Sequence, residues 1–198
     1  YQMFRNVYWH HGVRAATALY KRIVEEAVRL GLVAPEELVG PTDEELLHEI
    51  RRRAVTVDGE EARRLREEWL PALRSRRLPK RALELTAADL VEMKVPEWVG
   101  AESPRKRRVE ERMADRLGLS PGEVVIDFPA KAAMFQLNIL LERRDGRVAR
   151  VGPGGLPGVI DLPRVTPELY QTARVLRVFT FQRREVGPGE FLAMVREE

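Results

Sequence analysis

The chain has 198 residues, 44% of them hydrophobic and 33% charged, and a net charge of only +3. That length holds about 1.3 domains at ~150 residues each, and the composition is that of a folded chain rather than a disordered one. The absence of cysteine and the presence of just three histidines (His10, His11, His48) exclude disulfides, thiolate catalysis and cysteine zinc sites and leave little for a histidine metal site.

No apolar run approaches the ~18 residues that span a bilayer, and the start lacks the basic-then-apolar pattern of a secretory leader. A cytoplasmic, membrane-free protein is expected. Tyr1 stands beside a strong helical pattern with no cap before it, so the chain reads as a fragment that begins partway through a longer protein. Five of the 34 basic residues are lysine and 29 are arginine, and asparagine occurs only at Asn6 and Asn138. This bias fits a thermophile or, equally, a GC-rich genome.

The first segment is predicted helical, with Val13, Ala16, Leu19, Ile23, Ala27 and Leu30 as its apolar stripe. Gly31 stops it and Pro35 follows as a breaker. A second helix opens at Thr42-Asp43-Glu44-Glu45, the pattern of a capping box. It turns Leu46, Leu47 and Ile50 inward and ends in Arg51-Arg52-Arg53, so its charges complement the helix dipole. A third runs from about Gly59 to Leu70, with Pro71 at its end or in the first turn of a short successor. The run 74–81 holds five bases and no acid. Ala82–Leu85 reads as a short strand and 86–104 as a connector with one helical turn at Ala87–Met93. A fourth helix is predicted over Pro104–Leu117.

From there the pattern changes. Val124–Phe128 is a strand by β-branching and length. Phe135–Leu141 is a second strand, and Arg143–Arg147 a hairpin turn centred on Asp-Gly. Residues 152–158 form a loop, Thr166-Pro167-Glu168 opens a short helix, Val175–Phe181 is an alternating strand, and Pro188–Val195 is a last helix. The expected fold class is α+β: a helical segment over 1–86, a connector over 87–104 and a smaller mixed lobe over 105–198.

Several chemistries are missing as motifs. There is no His-Glu-x-x-His, no Gly-x-Ser-x-Gly and no Walker loop. Gly152-Pro153-Gly154-Gly155 lacks the Lys and Ser/Thr of a phosphate cradle and reads as a surface turn. The densest polar set is Met3–Arg14. On a helix, Phe4, Tyr8, His11 and Ala15 share one face, and Val7, His10 and Arg14 share the next. A phenol, two imidazoles and two guanidiniums within three turns suit a nucleotide, the cations facing phosphate oxygens. The plainer reading is a packed, hydrogen-bonded Tyr–His pair. Adjacent histidines on a helix point ~100° apart, which makes them poor partners for one metal. The run Arg74-Ser75-Arg76-Arg77-Leu78-Pro79-Lys80-Arg81 is either a phosphate grip or a solvated rim. Arg105-Lys106-Arg107-Arg108 opposes the dipole at its helix start; pairing with Glu110, Glu111 and Asp115 is the favoured explanation.

The stretch from Met3 to Arg14, with Val7-Tyr8-Trp9-His10-His11 at its centre, resembles HD-domain phosphohydrolases of the dNTP triphosphohydrolase type. The Thr42–Leu47 helix, the Arg76-Arg77-Leu78-Pro79-Lys80-Arg81 step and the strand at Glu123–Asp127 follow in the same order. The resemblance is densest over residues 1–85. It implies that this chain is the C-terminal portion of such an enzyme, with the helical segment as the last helices of an HD-type domain. It further implies substrate contacts at Tyr8, His11 and Arg14, and nucleotide-phosphate contacts at His10, Arg76, Arg77 and Lys80. Phe4 departs from a histidine found in some members. The family's metal site, a histidine, a His-Asp pair and a second aspartate, lies N-terminal to this helix, so no catalytic or metal-binding residue and no cofactor is expected within this chain. A divalent metal is expected in the full-length enzyme. The implied partners are nucleotides and further copies of the same chain. A non-catalytic oligomerisation or nucleic-acid-binding module is the alternative, disfavoured because Trp69 and Trp98 flank the basic run without alternating with it.

Overall fold

The computed structural model describes residues 7, 9–100, 103–129, 139–156, 158, 161–165 and 174–197. The first helix, α1, spans His11–Arg29. It ends as expected at Gly31, where Leu32 N–H bonds Ala27 O at 2.8 Å and Gly31 N–H bonds Val28 O at 3.0 Å, which satisfies two otherwise orphaned carbonyls. Helix α2 is Asp43–Ala54, with Thr42 as N-cap and Glu45 closing the capping box.

In the third helical stretch Pro71 stands in the first turn of a short successor helix, the second of the two expected readings, and the π turn before it was not expected. The stretch is α-helical over α3, Glu60–Arg64, passes through one π turn at Leu65–Trp69, and resumes as α4, Leu70–Arg74. Leu70 N–H reaches back five residues to Leu65 O. Proline supplies no N–H and its ring crowds the preceding turn; the wider turn just before Pro71 lets the helix continue past it to Arg74.

Strand β1 is Lys80–Leu85, followed by the short helix α5, Ala87–Glu92. Helix α6 is Pro104–Leu117, capped by Ser103 and closed at Gly118. Its basic start has structural partners: Arg107 pairs with Glu111 and Glu26, both at 3.0 Å, and Arg105 lies over the Trp98 ring. Strands β2 (Val124–Asp127), β3 (Ile139–Glu142), β4 (Val148–Val151) and β5 (Leu176–Thr180) and helix α7 (Pro188–Arg196) complete the named elements. The β3–β4 hairpin closes at Arg143–Arg147 as expected. The expected strand at 135–141 is described from Ile139 onward, and its earlier residues lie outside the described ones. The same holds for the helix expected at Thr166-Pro167-Glu168.

Two small antiparallel sheets make the fold α+β. One is the β3–β4 hairpin; the other has the order β1–β5–β2. In the larger sheet, Leu83, Leu85, Val124, Ile126, Leu176 and Val178 pack on Val109 and Met113 of α6 and on Phe191, Met194 and Val195 of α7. Its opposite face carries Val125 and Phe179 against Ala15 and Ala18 of α1, whose small side chains let the helix lie close. Strand β5 is buried at all five positions, so the alternation expected over 175–181 is replaced by burial on both faces of a central strand.

Helix α1 is a spine with a second apolar side. Leu19, Ile23 and Ala27 join Leu46, Ile50, Leu65, Trp69 and Leu70 in a separate cluster. The expected stripe is corrected at one end, since Val13 is exposed. In its place α1 buries Arg22 and Glu26, because it is covered on the sheet side as well as the helical side.

Candidate functional site

The larger sheet carries one charged rung on its α1 face. Glu84 of β1, Arg177 of β5 and Asp127 of β2 stand side by side in the strand register. Opposite charges at neighbouring cross-strand positions attract, and each of the two acids is bonded by a guanidinium. Arg177 Nε donates to Glu84 Oε2 at 2.9 Å. Asp127 takes a two-pronged contact from Arg14 of α1, with Nε donating at 2.8 Å and Nη2 closer still.

A β-bulge adds one more cation. The register shifts between Arg81 and Leu83, so Arg81 is paired with Phe179 and Leu83 with Val178. In a regular strand Arg81 and Leu83 would face the same way. The extra residue, Ala82, turns Arg81 to the α1 side, where its Nη1 donates to Glu84 Oε2 at 2.6 Å. Glu84 therefore serves two guanidiniums, which hold its carboxyl below the usual carboxylate range against the opposing effect of burial.

The start of α1 faces this cluster. His10 is the N-cap, with an extended backbone, and its Nδ1 accepts from Gly12 N–H at 3.3 Å. The helix begins at His11, which corrects the reading of one helical face running through His10. The two imidazoles lie with centroids 4.2 Å apart, closer than the ~100° separation of helical neighbours implied, because His10 is outside the helix. The first turn of α1 contains no acid of its own to complement the helix dipole. Partial burial is the largest influence on His11, and His10, Arg81 and Arg177 act in the same direction; together they hold its imidazole below the ordinary 6.5, with Glu84 opposing them. Arg177 is itself 8% exposed, and its Nη1 is buried without a hydrogen-bond partner.

The structure thus brings His11 near Arg81 and Arg177, sets His10 beside His11, and engages Arg14 on Asp127. Tyr8 lies outside the described residues. Arg76, Arg77 and Lys80 sit on the turn from α4 into β1. Arg76 is exposed and left-handed, with φ 55°, at the position after the α4 cap. Arg77 Nε donates to the neighbouring Ser75 Oγ at 3.0 Å, and Lys80 is the exposed first residue of β1.

Arg81 was read only as the last residue of the basic run 74–81, and Glu84 and Arg177 were not singled out from the sequence. Their signal was a lone charge inside an apolar strand, Leu83-Glu84-Leu85 and Leu176-Arg177-Val178, repeated with the opposite sign in Ile126-Asp127-Phe128.

Among the described residues no cluster of three His, Asp or Glu side chains could hold a metal ion. No described helix is long and apolar enough to cross a membrane. A family model described as an HD associated region matches residues 1–150. No curated protein and no solved structure matches the chain.

Proposed function

The chain belongs to the HD-associated-region family, and from that premise we propose that it works with an HD-type, metal-dependent phosphohydrolase acting on nucleotides of the dNTP class. It supplies phosphate contacts and an assembly surface for further copies of the chain. The hydrolytic metal belongs to the HD domain in this reading.

One observation carries the reading: at the acid-free start of α1, His10 lies beside His11, and His11 stands within electrostatic reach of Arg81 and Arg177, whose shared counterion is Glu84. A helix N-terminus supplies backbone N–H groups and a favourable dipole for an anion. Guanidinium groups suit phosphate oxygens. His10, whose Nδ1 accepts from Gly12, keeps its Nε2–H as an outward donor when neutral. Arg14 holds the helix to β2 through Asp127 and so fixes the position of the imidazoles. Arg76, Arg77 and Lys80 form a second basic group one turn away in sequence, proposed to extend the phosphate contacts.

The test is calorimetry with dGTP and with inorganic triphosphate. Binding of both is expected, weakened by about 1.5–3 kcal/mol when Arg81→Gln or His11→Ala removes a charge-assisted contact. Arg76→Ala and Lys80→Ala test the second group in the same way. Absence of binding, or binding that all four variants leave intact, rejects the reading. Salt-dependent binding of DNA or RNA without dGTP binding replaces it with the nucleic-acid alternative. The polypeptide alone, supplied with a divalent metal, is expected not to hydrolyse dNTPs.

A further inference from the structure

Two apolar features outside the histidine cluster are left open among the described residues. The first is the β3–β4 hairpin. All four residues of β3 are exposed, and Ile139, Leu140, Leu141 and Val148 show 49%, 65%, 39% and 63% of their surface. Leu140 pairs with Arg150 and Glu142 with Val148, so Leu140 and Val148 share one face of the ribbon. A two-stranded hairpin by itself is marginal in water, and packing against another element secures it. Val151 at its base and Leu156 just beyond are buried; the rest stands clear. The turn carries Arg143, Arg144 and Arg147, with Asp145 as the one acid among them, all exposed.

The second is a cleft of about 600 Å³ between the loop after α1 and the first turns of α2. The buried Val33 and Leu46 form its base, and the loop beside it exposes Leu38 and Val39, the latter at 84%. Residues 34–50 hold six acids and neither lysine nor arginine. Two of the six, Glu37 and Glu49, are paired with Arg52 and Arg53, and Glu45 closes the α2 cap. Glu44 is exposed at the rim, one helical turn from His48. The cleft is therefore apolar at its base and negative around it.

We infer that the β3–β4 hairpin of one copy of this chain docks in the Val33–Glu49 cleft of another: Leu140 and Val148 take the apolar base, and Arg143 and Arg144 meet Glu44 and the carboxylates beside it. This rests on the assembly part of the reading above and not on its phosphate contacts. Charge selects the occupant. The hairpin turn is positive and the cleft negative, so neither is self-complementary, as a two-fold contact between like patches requires; each complements the other. An uncovered apolar strand invites association. A hairpin of one copy in the cleft of the next is a head-to-tail contact, which builds a ring or an open chain. The hairpin supplies fewer than the ~20–30 residues a side of a standard interface, so the association depends on concentration.

The experiment is sedimentation velocity on the whole chain from micromolar to millimolar concentration. The parent protein is expected to grow beyond the monomer mass as concentration rises, and less so in high salt, which screens the rim charges. Leu140→Asp in the hairpin and Glu44→Arg in the cleft are each expected to weaken association about tenfold or more. The melting temperature is expected to stay unchanged, since both side chains are exposed. Val148→Asp is a second hairpin variant with the same expected result. An equimolar mixture of Leu140→Asp and Glu44→Arg retains one intact cleft and one intact hairpin, and is expected to form a dimer and nothing larger.

Four results overturn the inference. A monomer throughout overturns it together with the assembly reading, and leaves the HD domain as the hairpin's cover. Association that survives all three variants overturns it and assigns assembly to another face. Loss in the variants of one patch alone shows that this patch pairs elsewhere. A mixture that stays monomeric shows that the two patches do not meet. Calorimetry of Leu140→Asp with inorganic triphosphate is expected to match the parent protein, which separates this contact from the phosphate contacts.

Discussion

Arg22 of α1 donates through Nη2 to Glu110 of α6, and the second oxygen of that carboxylate accepts from Ile126 N–H of β2 at 2.8 Å. The two side chains are 3% and 4% exposed. One buried acid therefore ties together a helix from each side of the sheet and the strand between them. Burial by itself would lower the Arg22 pKa, but Glu110, Glu25 and Glu26 outweigh it and hold the guanidinium charged.

Removing one member of this pair leaves the other charged and buried. Glu110→Gln and Arg22→Met are each expected to lower stability by about 3–5 kcal/mol. Urea denaturation of both singles and the double variant measures the coupling. Additive losses would show that the pair does not act as a unit.

His11 provides a pH readout of the cluster. Its pKa is held below 6.5 in the folded protein, so the folded state disfavours its proton. The associated stability is full above 6.5 and is lost as pH falls through the lower folded value. NMR titration of the imidazole is expected to place it below 6.5 in the free protein. Addition of triphosphate is expected to raise it, since an anion favours the imidazolium. A free-state value at or above 6.5 contradicts the crowding by Arg81 and Arg177.

Glu26 is 2% exposed and is bonded by Arg29 at 2.8 Å and Arg107 at 3.0 Å. Burial opposes its ionisation, yet the two guanidiniums prevail and its pKa lies below 4.5. Its contribution is therefore present above 4.5 and lost as pH falls below that value. Glu26→Gln is expected to cost about 2 kcal/mol at neutral pH, with a gap to the parent protein that narrows in acid. Thermal melts across pH measure that gap, and a constant gap refutes the assignment.

Gly122 has φ +85°, and a Cβ there would lie 2.8 Å from Trp69 Cη2. Gly122→Ala combines backbone strain with a collision against a buried ring and is expected to cost roughly 3 kcal/mol. Gly118 has φ +64° but open space beside it, so Gly118→Ala is expected to cost about 1 kcal/mol. Equal losses in the two variants, measured by denaturant unfolding, remove the role given to Trp69.

Much of the scaffold was legible because its signals are local. Thr42 and Glu45 close their cap within one turn, and Gly118 ends α6 where it was expected. The Asp-Gly turn closes β3 on β4. Caps and turns satisfy backbone groups a few residues away, so neighbouring residue types suffice to predict them. His10, His11 and Arg14 were also legible as a polar set, although the point where the helix starts was not.

By itself the sequence determined the α+β order of elements, the caps at Gly31, Thr42 and Gly118 and the basic character of the start of α1. The tertiary structure decided which charges meet. The bulge at Ala82 turns Arg81 toward Glu84. Pairing β5 between β1 and β2 sets Arg177 between Glu84 and Asp127. Packing α1 on both sides buries Arg22 against Glu110, 88 residues away. Electrostatic partners of this kind are chosen by distance in space, and register and bulges set that distance independently of local residue patterns.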